Sequence, residues 1–246
     1  MTDTDIFTTH RDAWRAKPAL RRYYQREIFD RIGGEMRPGP TLEIGTGAGF
    51  FADYRPGMTG IDVTPVHPSA IPGDVHQMPF DDGAFANVVG VDVLHHLARP
   101  ATALREIARV LQPDGRLILV EPWAGPLGRL FYRYLHHEEC APVADPWRAA
   151  FPDGKNAMAG NALIPWTLLH ARCGELSSHA PLALRRYSCF GIVAYAATGG
   201  FQRFGLPWAV VAALSGIEQV LPQAVHRLAA LRALFVLEKL QAPHRG

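Results

Sequence analysis

The segment Thr41–Gly49, which runs Thr-Leu-Glu-Ile-Gly-Thr-Gly-Ala-Gly, limits the fold more than any other part of the chain. Its first residues predict a short buried strand, and its glycines allow the backbone to turn sharply and to approach a ligand closely. Asp62 follows the next predicted strand, and its carboxylate can accept hydrogen bonds from ribose hydroxyls. This order is typical of a parallel α/β sheet that binds an adenosine-containing cofactor.

The spacing of the glycines separates two classes of adenosine cofactor. A dinucleotide fold uses Gly-x-Gly-x-x-Gly, whereas this chain has Gly45, Gly47 and Gly49, with Phe50 at the third dinucleotide position. Glu43 lies two residues before the first glycine, where it would repel a pyrophosphate. A cofactor that carries an amino group and a sulfonium cation suits this carboxylate. The pattern therefore favours S-adenosylmethionine over NAD.

Four further segments follow the glycine-rich turn in a recognisable order. They are Gly73-Asp74-Val75, the loop Met78–Phe85, the apolar run Val88–Val91 that leads into Asp92–Leu97, and the stretch Arg109–Pro122. With these segments, residues 40–121 resemble the class I S-adenosylmethionine-dependent methyltransferases. Because several motifs occur in the right order, this resemblance is far more specific than a glycine-rich turn alone.

The resemblance implies a role for each matching position. It places Glu43 near the amino group of S-adenosylmethionine and the Gly45–Gly49 loop along the methionine part. It also implies that Asp62 binds the ribose diol and that the Asp74-Val75 pair binds adenine through a carboxylate and a backbone N–H. The predicted cofactor-binding residues are Glu43, Gly45, Thr46, Gly47, Gly49, Asp62, Val63, Asp74, Val75 and Asp92.

The fold implied by the resemblance is α/β: a Rossmann-like, seven-stranded, mostly parallel sheet with helices on both faces, in a single domain over residues 1–246. Residues 36–121 form the cofactor-binding half. Two inserts, 122–180 after strand five and 188–230 after strand six, are expected to form an acceptor pocket or lid. Strands are predicted at 41–45, 58–61, 87–91, 115–121, 182–187 and 233–239.

The first 35 residues are predicted to form a helical leader. Over residues 10–35, apolar side chains recur at helical spacing from Trp14 to Ile32, and Gly33-Gly34 is expected to end the helix. A leader of this kind either covers the cofactor cleft or packs on the sheet. The sequence alone leaves both arrangements open.

The connection between strands two and three departs from the family. It contains Pro65, Pro68 and Pro72, which predict that the linking helix is reduced to a loop. Ala86 is a second departure, because many members carry an aspartate at this position at the start of strand four. Neither change removes a predicted cofactor contact.

Three residues are candidates for catalysis. Methyl transfer in this family is an in-line displacement, so the enzyme mainly positions the acceptor and the methyl donor and excludes water. An oxygen or nitrogen acceptor also needs a general base. His95 and His96 after strand four and Glu121 after strand five stand at the carboxyl ends of strands, where α/β sheets bind ligands. The alternative is that a histidine only caps the next helix or shapes the cleft.

Charge and cysteine usage exclude several classes of protein. The net charge is only +2 and the basic residues are scattered, which disfavours a nucleic-acid substrate. The widely spaced Cys140, Cys173 and Cys189 provide no disulfide framework, so the predicted location is the cytoplasm. The polar N-terminal sequence predicts no signal peptide. The oligomeric state is open.

Two segments outside the motifs have compositions that raise the questions of a metal site and of a membrane contact. The cluster His136–Cys140 lacks the paired spacing of a zinc site, so no metal is predicted and a polar lid over the acceptor is preferred. Residues 204–217 carry no charge but are too short to span a membrane. A core helix is favoured there over a hydrophobic lid or a lipid-facing surface, and peripheral contact with a membrane is left open.

The sequence therefore predicts an S-adenosylmethionine-dependent methyltransferase. Its acceptor is expected to be a small or medium organic molecule, and the hydrophobic insert favours a natural product, a glycolipid or a lipid-like compound. A non-catalytic relative with the same fold, which binds or stabilises a partner in a biosynthetic complex, is one alternative. A dehydrogenase is the other, and the missing third glycine counts against it.

Overall fold

A computed structural model describes residues 3–135, 139–148 and 160–241. Its centre is one seven-stranded sheet with the strand order β3-β2-β1-β4-β5-β7-β6. The strands are β1 (Thr41–Ile44), β2 (Thr59–Asp62), β3 (Ala70–Pro72), β4 (Phe85–Val91), β5 (Leu111–Pro122), β6 (Leu182–Phe190) and β7 (Arg232–Lys239). All neighbours pair in parallel except β7, which is antiparallel to β5 and to β6. The predicted Rossmann-like fold is confirmed.

The helices lie between these strands. They are α1 (Asp3–Ala16), α2 (Pro18–Tyr23), α3 (Asp30–Glu35), α4 (Phe50–Tyr54), α5 (Pro100–Val110), α6 (Pro126–Tyr134), α7 (Leu163–Trp166), α8 (Leu176–His179), α9 (Val193–Ala197), α10 (Trp208–Gln219) and α11 (Gln223–Ala229). Segments Tyr24–Phe29 and Thr167–Ala171 are π-helical, and Leu94–His96 and Cys173–Glu175 are 3-10 turns. Within the described ranges, no helix combines the length and the apolarity that a membrane span requires.

Alternation along the strands produces a core on each face of the sheet. In β4, Val88 packs into one cluster with α5, whereas its neighbour Val89 packs into a second cluster with α2 and α3. The same alternation separates Leu117 from Ile118 in β5. Because successive side chains of a strand point to opposite faces, a continuous apolar run in the sequence indicates a strand that is covered on both sides.

The N-terminal leader is helical, and Gly33-Gly34 does not end it as predicted. It begins at Asp3, and α3 continues through Gly33 to Glu35 before the chain becomes extended. Both suggested arrangements occur in different parts of it. Helices α2 and α3 pack on the sheet, while α1 lies over the glycine-rich turn, where Arg11 donates a hydrogen bond from Nε to the carbonyl of Ala48 at 2.8 Å.

The predicted loss of the helix between β2 and β3 is confirmed, because residues 63–69 form turns and loops only. His67 in this loop packs against the glycine-rich turn: a Cβ atom on Gly49 would lie 2.5 Å from its ring. The ring also contacts Asp53 of α4 at 3.0 Å and Ser69 at 2.7 Å. The short loop between β2 and β3 therefore packs over part of the glycine-rich turn. A linking helix would border the turn at this place.

Residues 204–217 form a core helix only in part. Helix α10 begins only at Trp208, and its buried residues are Val211, Ser215 and Glu218. Val210 and Ile217 are exposed, whereas Val211 lies in the core and Trp208 and Leu214 pack against it. The inward side of α10 also carries the hydrogen-bonding Ser215 and Glu218, and a second apolar side of the helix faces outward.

Candidate functional site

The turn after β1 has the backbone that the glycine spacing predicts. Gly45, Gly47 and Gly49 all have positive φ angles, of 62°, 48° and 81°, which favour glycine strongly. A Cβ atom on Gly45 would also lie 2.6 Å from the side chain of Val93 in the loop after β4. The turn is thus packed tightly against that loop, and Gly49 leads directly into α4.

Asp62, at the end of β2, holds the turn in place. One carboxylate oxygen accepts a hydrogen bond from the backbone N–H of Gly47 at 2.8 Å, and the other accepts one from Thr64 at 2.8 Å. Each carboxylate oxygen has two lone pairs, so these bonds leave acceptor capacity for ribose hydroxyls. Val63 beside it is 69% exposed and lies at the mouth of the site.

Two buried polar atoms near the turn suit a bound ligand. Glu43 and Thr46 are both buried, and neither Oε2 of Glu43 nor the Thr46 hydroxyl has a hydrogen-bond partner among the described residues. Burial, followed by the charges of Asp62 and Asp53, raises the pKa of Glu43 to about 8. A cationic amino group at this position would satisfy the carboxylate and neutralise the local negative charge.

Asp74 and Val75 lie beyond β3, next to Asp62. The backbone N–H of Gly73 donates to the Asp62 carbonyl at 3.0 Å, which joins the two segments. Asp74 is half-exposed and accepts hydrogen bonds from the backbone N–H of His76 at 2.9 Å and from its ring at 2.6 Å. Partial burial acts to raise the pKa of Asp74, but the His76 bonds outweigh it and lower the pKa. Val75 is buried.

Asp92, at the end of β4, is held by an arginine that the sequence analysis missed. Its φ angle is 56°, an uncommon conformation for a residue other than glycine. The Arg232 guanidinium binds its two carboxylate oxygens at 2.6 and 2.7 Å, although Arg232 is only 2% exposed. The signal in the sequence was a single arginine in the apolar run Leu231–Leu237, where a buried charge requires a partner.

The side chains of His95 and Glu121 form a buried pair. Nδ1 of His95 lies 2.6 Å from one oxygen of Glu121. The other oxygen accepts hydrogen bonds from the backbone N–H groups of Val93 at 3.0 Å and Leu94 at 2.6 Å. Glu121 is fully buried, so it connects the end of β5 to the loop after β4 and orients His95 within that loop.

The segment after β5 covers the two histidines. The rings of His95 and His96 lie 4.0 Å apart, and a Cβ atom on Gly160 would lie 2.8 Å from either ring. The backbone N–H of the buried Asn161 donates to the His95 carbonyl at 3.0 Å. His96 is half-buried, whereas His95 is fully enclosed. This part of the predicted insert therefore forms a wall of the site.

Ligand atoms of Asp92, His95 and Glu121 lie within 4.8 Å of one another. The arrangement does not favour a cation, because the Arg232 guanidinium occupies Asp92 and because backbone N–H groups and His95 occupy Glu121. The absence of a metal stays a prediction. Of the His136–Cys140 cluster, His136, His137 and Glu138 lie outside the described residues.

Known proteins match this chain most clearly in the first half of the sheet. Residues 42–119 match the family model described as a methyltransferase domain. Demethylmenaquinone methyltransferase of Mycolicibacterium gilvum is 34% identical over 87 residues, which are 34% of this chain and 38% of that protein. A ubiquinone/menaquinone biosynthesis C-methyltransferase of Vibrio cholerae is 28% identical over 145 residues, 48% of this chain and 55% of that protein.

A solved structure extends the likeness to the whole sheet. A SAM-dependent methyltransferase of Thermotoga maritima superposes with a TM-score of 0.53 at 13% identity and covers 97% of this chain and 98% of that one. At this identity the likeness concerns the fold. The chain spans less than two thirds of the length of the curated relatives it matches.

Proposed function

Because the chain belongs to the class I S-adenosylmethionine-dependent methyltransferase family, we propose that it transfers a methyl group from S-adenosylmethionine to a small or medium organic acceptor. The unpartnered carboxylate oxygen of the buried Glu43 carries this proposal. It lies beside a glycine-rich turn that Asp62 orders, and it calls for a cation of the kind that the amino group of S-adenosylmethionine provides. The cofactor, when bound, supplies an electrophilic methyl group.

The predicted cofactor-binding residues would contact different parts of the cofactor along the cleft. Glu43, Thr46 and the glycine-rich turn hold the methionine part, and Asp62 with Val63 holds the ribose. Asp74 and Val75 border the adenine, while Asp92 closes the end of the cleft with Arg232. The bonds that hold the carboxylates of Asp62 and Asp92, from the Gly47 N–H and from the Arg232 guanidinium, preform the cleft, so that little binding energy is lost in ordering it.

His95 is the better candidate for a general base, and Glu121 positions it. A carboxylate that accepts the Nδ1–H of a histidine orients the ring and stabilises the imidazolium that forms. Glu121 itself accepts hydrogen bonds from three donors, so we assign it no direct proton transfer. His96, next to it and half-buried, borders the acceptor.

The names of two relatives favour a hydrophobic acceptor. The relatives from M. gilvum and V. cholerae carry names that refer to menaquinone and ubiquinone, which are hydrophobic quinones. We therefore place reduced prenylated quinones first among the acceptors to test, followed by hydrophobic hydroxyl compounds and glycolipids. The segments after β5 and β6 would form the acceptor side, since Gly160 and Asn161 already border the histidines.

The proposal is tested first by calorimetric titration with S-adenosylmethionine and S-adenosylhomocysteine. Micromolar binding of both, followed by transfer of a labelled methyl group to one compound of the acceptor panel, is the expected result. If correctly folded protein binds neither, a non-catalytic relative that acts through a partner becomes the better description.

Replacement of Asp62 by alanine should weaken S-adenosylmethionine binding by about 1–3 kcal/mol, because it removes a ribose acceptor and releases the Gly47 N–H. Calorimetry measures the change. Asp81→Ala, an exposed carboxylate on the loop before β4, serves as the control and should bind normally. An unchanged affinity of the Asp62 variant would mean that other groups hold the ribose.

Replacement of His95 by alanine should reduce turnover about 10²-fold while cofactor affinity is maintained, as expected for the loss of a general base. His96→Ala is the matched comparison, and a smaller loss in kcat with a higher KM for the acceptor would fit a residue that only borders it. Equal losses of cofactor binding and turnover for His95→Ala would instead assign this histidine to the cofactor cleft.

A further inference from the structure

Helix α10 packs on the core through Val211, Trp208 and Leu214 and buries two polar side chains, but it leaves a second apolar side exposed. Ser215 donates a hydrogen bond from its hydroxyl to the buried Glu27 at 2.7 Å. Glu218 accepts hydrogen bonds from the backbone N–H groups of Val193 at 2.6 Å and Ala194 at 2.7 Å at the start of α9. These bonds fix the rotation of α10 about its axis, so its outward side is determined by the fold.

The outward side forms a continuous apolar stripe. Val210, Ala213, Ile217 and Val220 follow one another at intervals of three or four residues, so they lie on one side of the helix. Ile217 is 60% exposed and Val220 is 81% exposed. A helix that only covered a core would place such residues inward.

Most of the exposed large apolar residues lie in two stretches of the chain, and the second of these contains α10. We call the exposed apolar residues of α10, of α11 and of the loops before these two helices the docking face. It consists of Phe204, Leu206, Val210, Ile217, Val220, Val225 and Leu228. Helix α6 packs against α11 and exposes Leu127, Leu130 and Tyr134. Among the fifteen large apolar residues that are exposed in the described ranges, twelve lie in 127–135 or 193–228. An apolar concentration of this kind marks an interaction surface.

The charges around the docking face have one sign. In residues 123–135 and 193–229 the exposed charged side chains are all arginines, and the only acidic residue, Glu218, is buried. At the start of α10, the guanidinium groups of Arg22 and Arg26 lie 5.9 and 5.5 Å from the ring centroid of Trp208. Apolar side chains bordered by arginines and a tryptophan are the composition of a surface that lies in a membrane interface.

We propose that the docking face binds the surface of an anionic lipid bilayer. Its apolar side chains would enter the head-group region, and the surrounding arginines would contact lipid phosphates. A second copy of the chain fits less well, because a symmetric interface would bring arginines against arginines with no exposed carboxylate in these segments to compensate them. The charges therefore favour the lipid.

The docking face is connected to the candidate site. Helix α9 follows the end of β6 closely, and α11 ends three residues before Arg232, which binds Asp92. Docking would thus bring the carboxyl edge of the sheet close to the bilayer, where a hydrophobic acceptor resides. This last step rests on the proposed function, whereas lipid binding itself does not.

Sedimentation with vesicles tests the proposal on the complete chain, without cofactor or acceptor. The protein should sediment with vesicles made of equal parts phosphatidylcholine and phosphatidylglycerol, and much less with phosphatidylcholine alone or in high salt. The double substitution Ile217→Asp/Val220→Asp should abolish sedimentation, whereas Leu240→Asp, at a distant exposed leucine, should not. Arg203→Glu should weaken it about fivefold or more, and Arg148→Glu should leave it unchanged.

Titration of the same variants with S-adenosylmethionine separates the two proposals. Failure to bind vesicles by protein that binds the cofactor would overturn the docking proposal alone. Vesicle binding without cofactor binding would overturn the proposed function alone. Equal binding to neutral and anionic vesicles would also contradict the docking proposal, as would a dimer in sedimentation velocity that Ile217→Asp/Val220→Asp converts to a monomer.

Discussion

Replacement of Glu121 by alanine is expected to lower the free energy of unfolding by about 3–5 kcal/mol and to eliminate methyl transfer. The fully buried carboxylate accepts hydrogen bonds from two backbone N–H groups and contacts the ring of His95. Its removal leaves these donors in an apolar environment without water, and each unsatisfied donor costs about 1–3 kcal/mol. Urea denaturation measures the loss of stability.

Glu121→Gln separates the structural role from the catalytic one. The amide oxygen can still accept from Val93 and Leu94, so most of the stability should be retained. The amide nitrogen, however, would face Nδ1 of His95 and force the ring into the opposite tautomer. Turnover should therefore fall about 10²-fold or more while cofactor affinity stays normal. The dependence of kcat on pH should also differ from that of the wild type.

Two results would contradict this account of Glu121. A stable alanine variant would mean that the loop after β4 is held by other contacts. A glutamine variant with normal turnover would mean that the tautomer of His95 has no influence on the reaction. Asp12→Ala, which removes an exposed carboxylate paired with Arg15, is the control and should cause a far smaller loss of stability.

The sequence predicts the cofactor half of this protein well because local constraints determine it. The turn at Gly45–Gly49 requires a particular backbone, and the continuous apolar runs of β4 and β5 require cover on both faces. These requirements lie within a few residues of each other in the chain. The positions of β1, β4 and β5 follow from them, whereas the prolines between β2 and β3 predict the missing helix.

The sequence does not predict contacts between distant segments. Arg232 and Asp92 are separated by 140 positions, and Ser215 and Glu27 by 188, so no local pattern connects them. For the same reason the sequence does not predict the rotation of α10 about its own axis. Helical periodicity predicts that apolar residues share a side, but only the partners of Ser215 and Glu218 determine which side faces inward.

The second large effect is expected at Glu43. Because burial and two neighbouring carboxylates raise its pKa to about 8, this residue favours the protonated form in the ligand-free protein. Its contribution to stability is fully present below its ordinary pKa, near 4.5, and is lost as the pH rises through about 8. Ligand-free Glu43→Gln should therefore unfold at a higher temperature than the wild type at pH values above 8, and this difference should disappear toward acidic pH.

The same substitution should weaken cofactor binding by about 2–5 kcal/mol, because it removes the carboxylate that pairs with the amino group of S-adenosylmethionine. In the wild type, binding below pH 8 should release a proton from Glu43, which calorimetry in buffers of different ionisation enthalpy detects. Methylthioadenosine lacks the amino acid part and should bind the wild type and Glu43→Gln equally. If instead both ligands lose the same affinity, Glu43 does not contact the amino group. A variant that becomes more stable and binds more weakly would show that the cleft keeps an unfavourable buried carboxylate because the cofactor requires it.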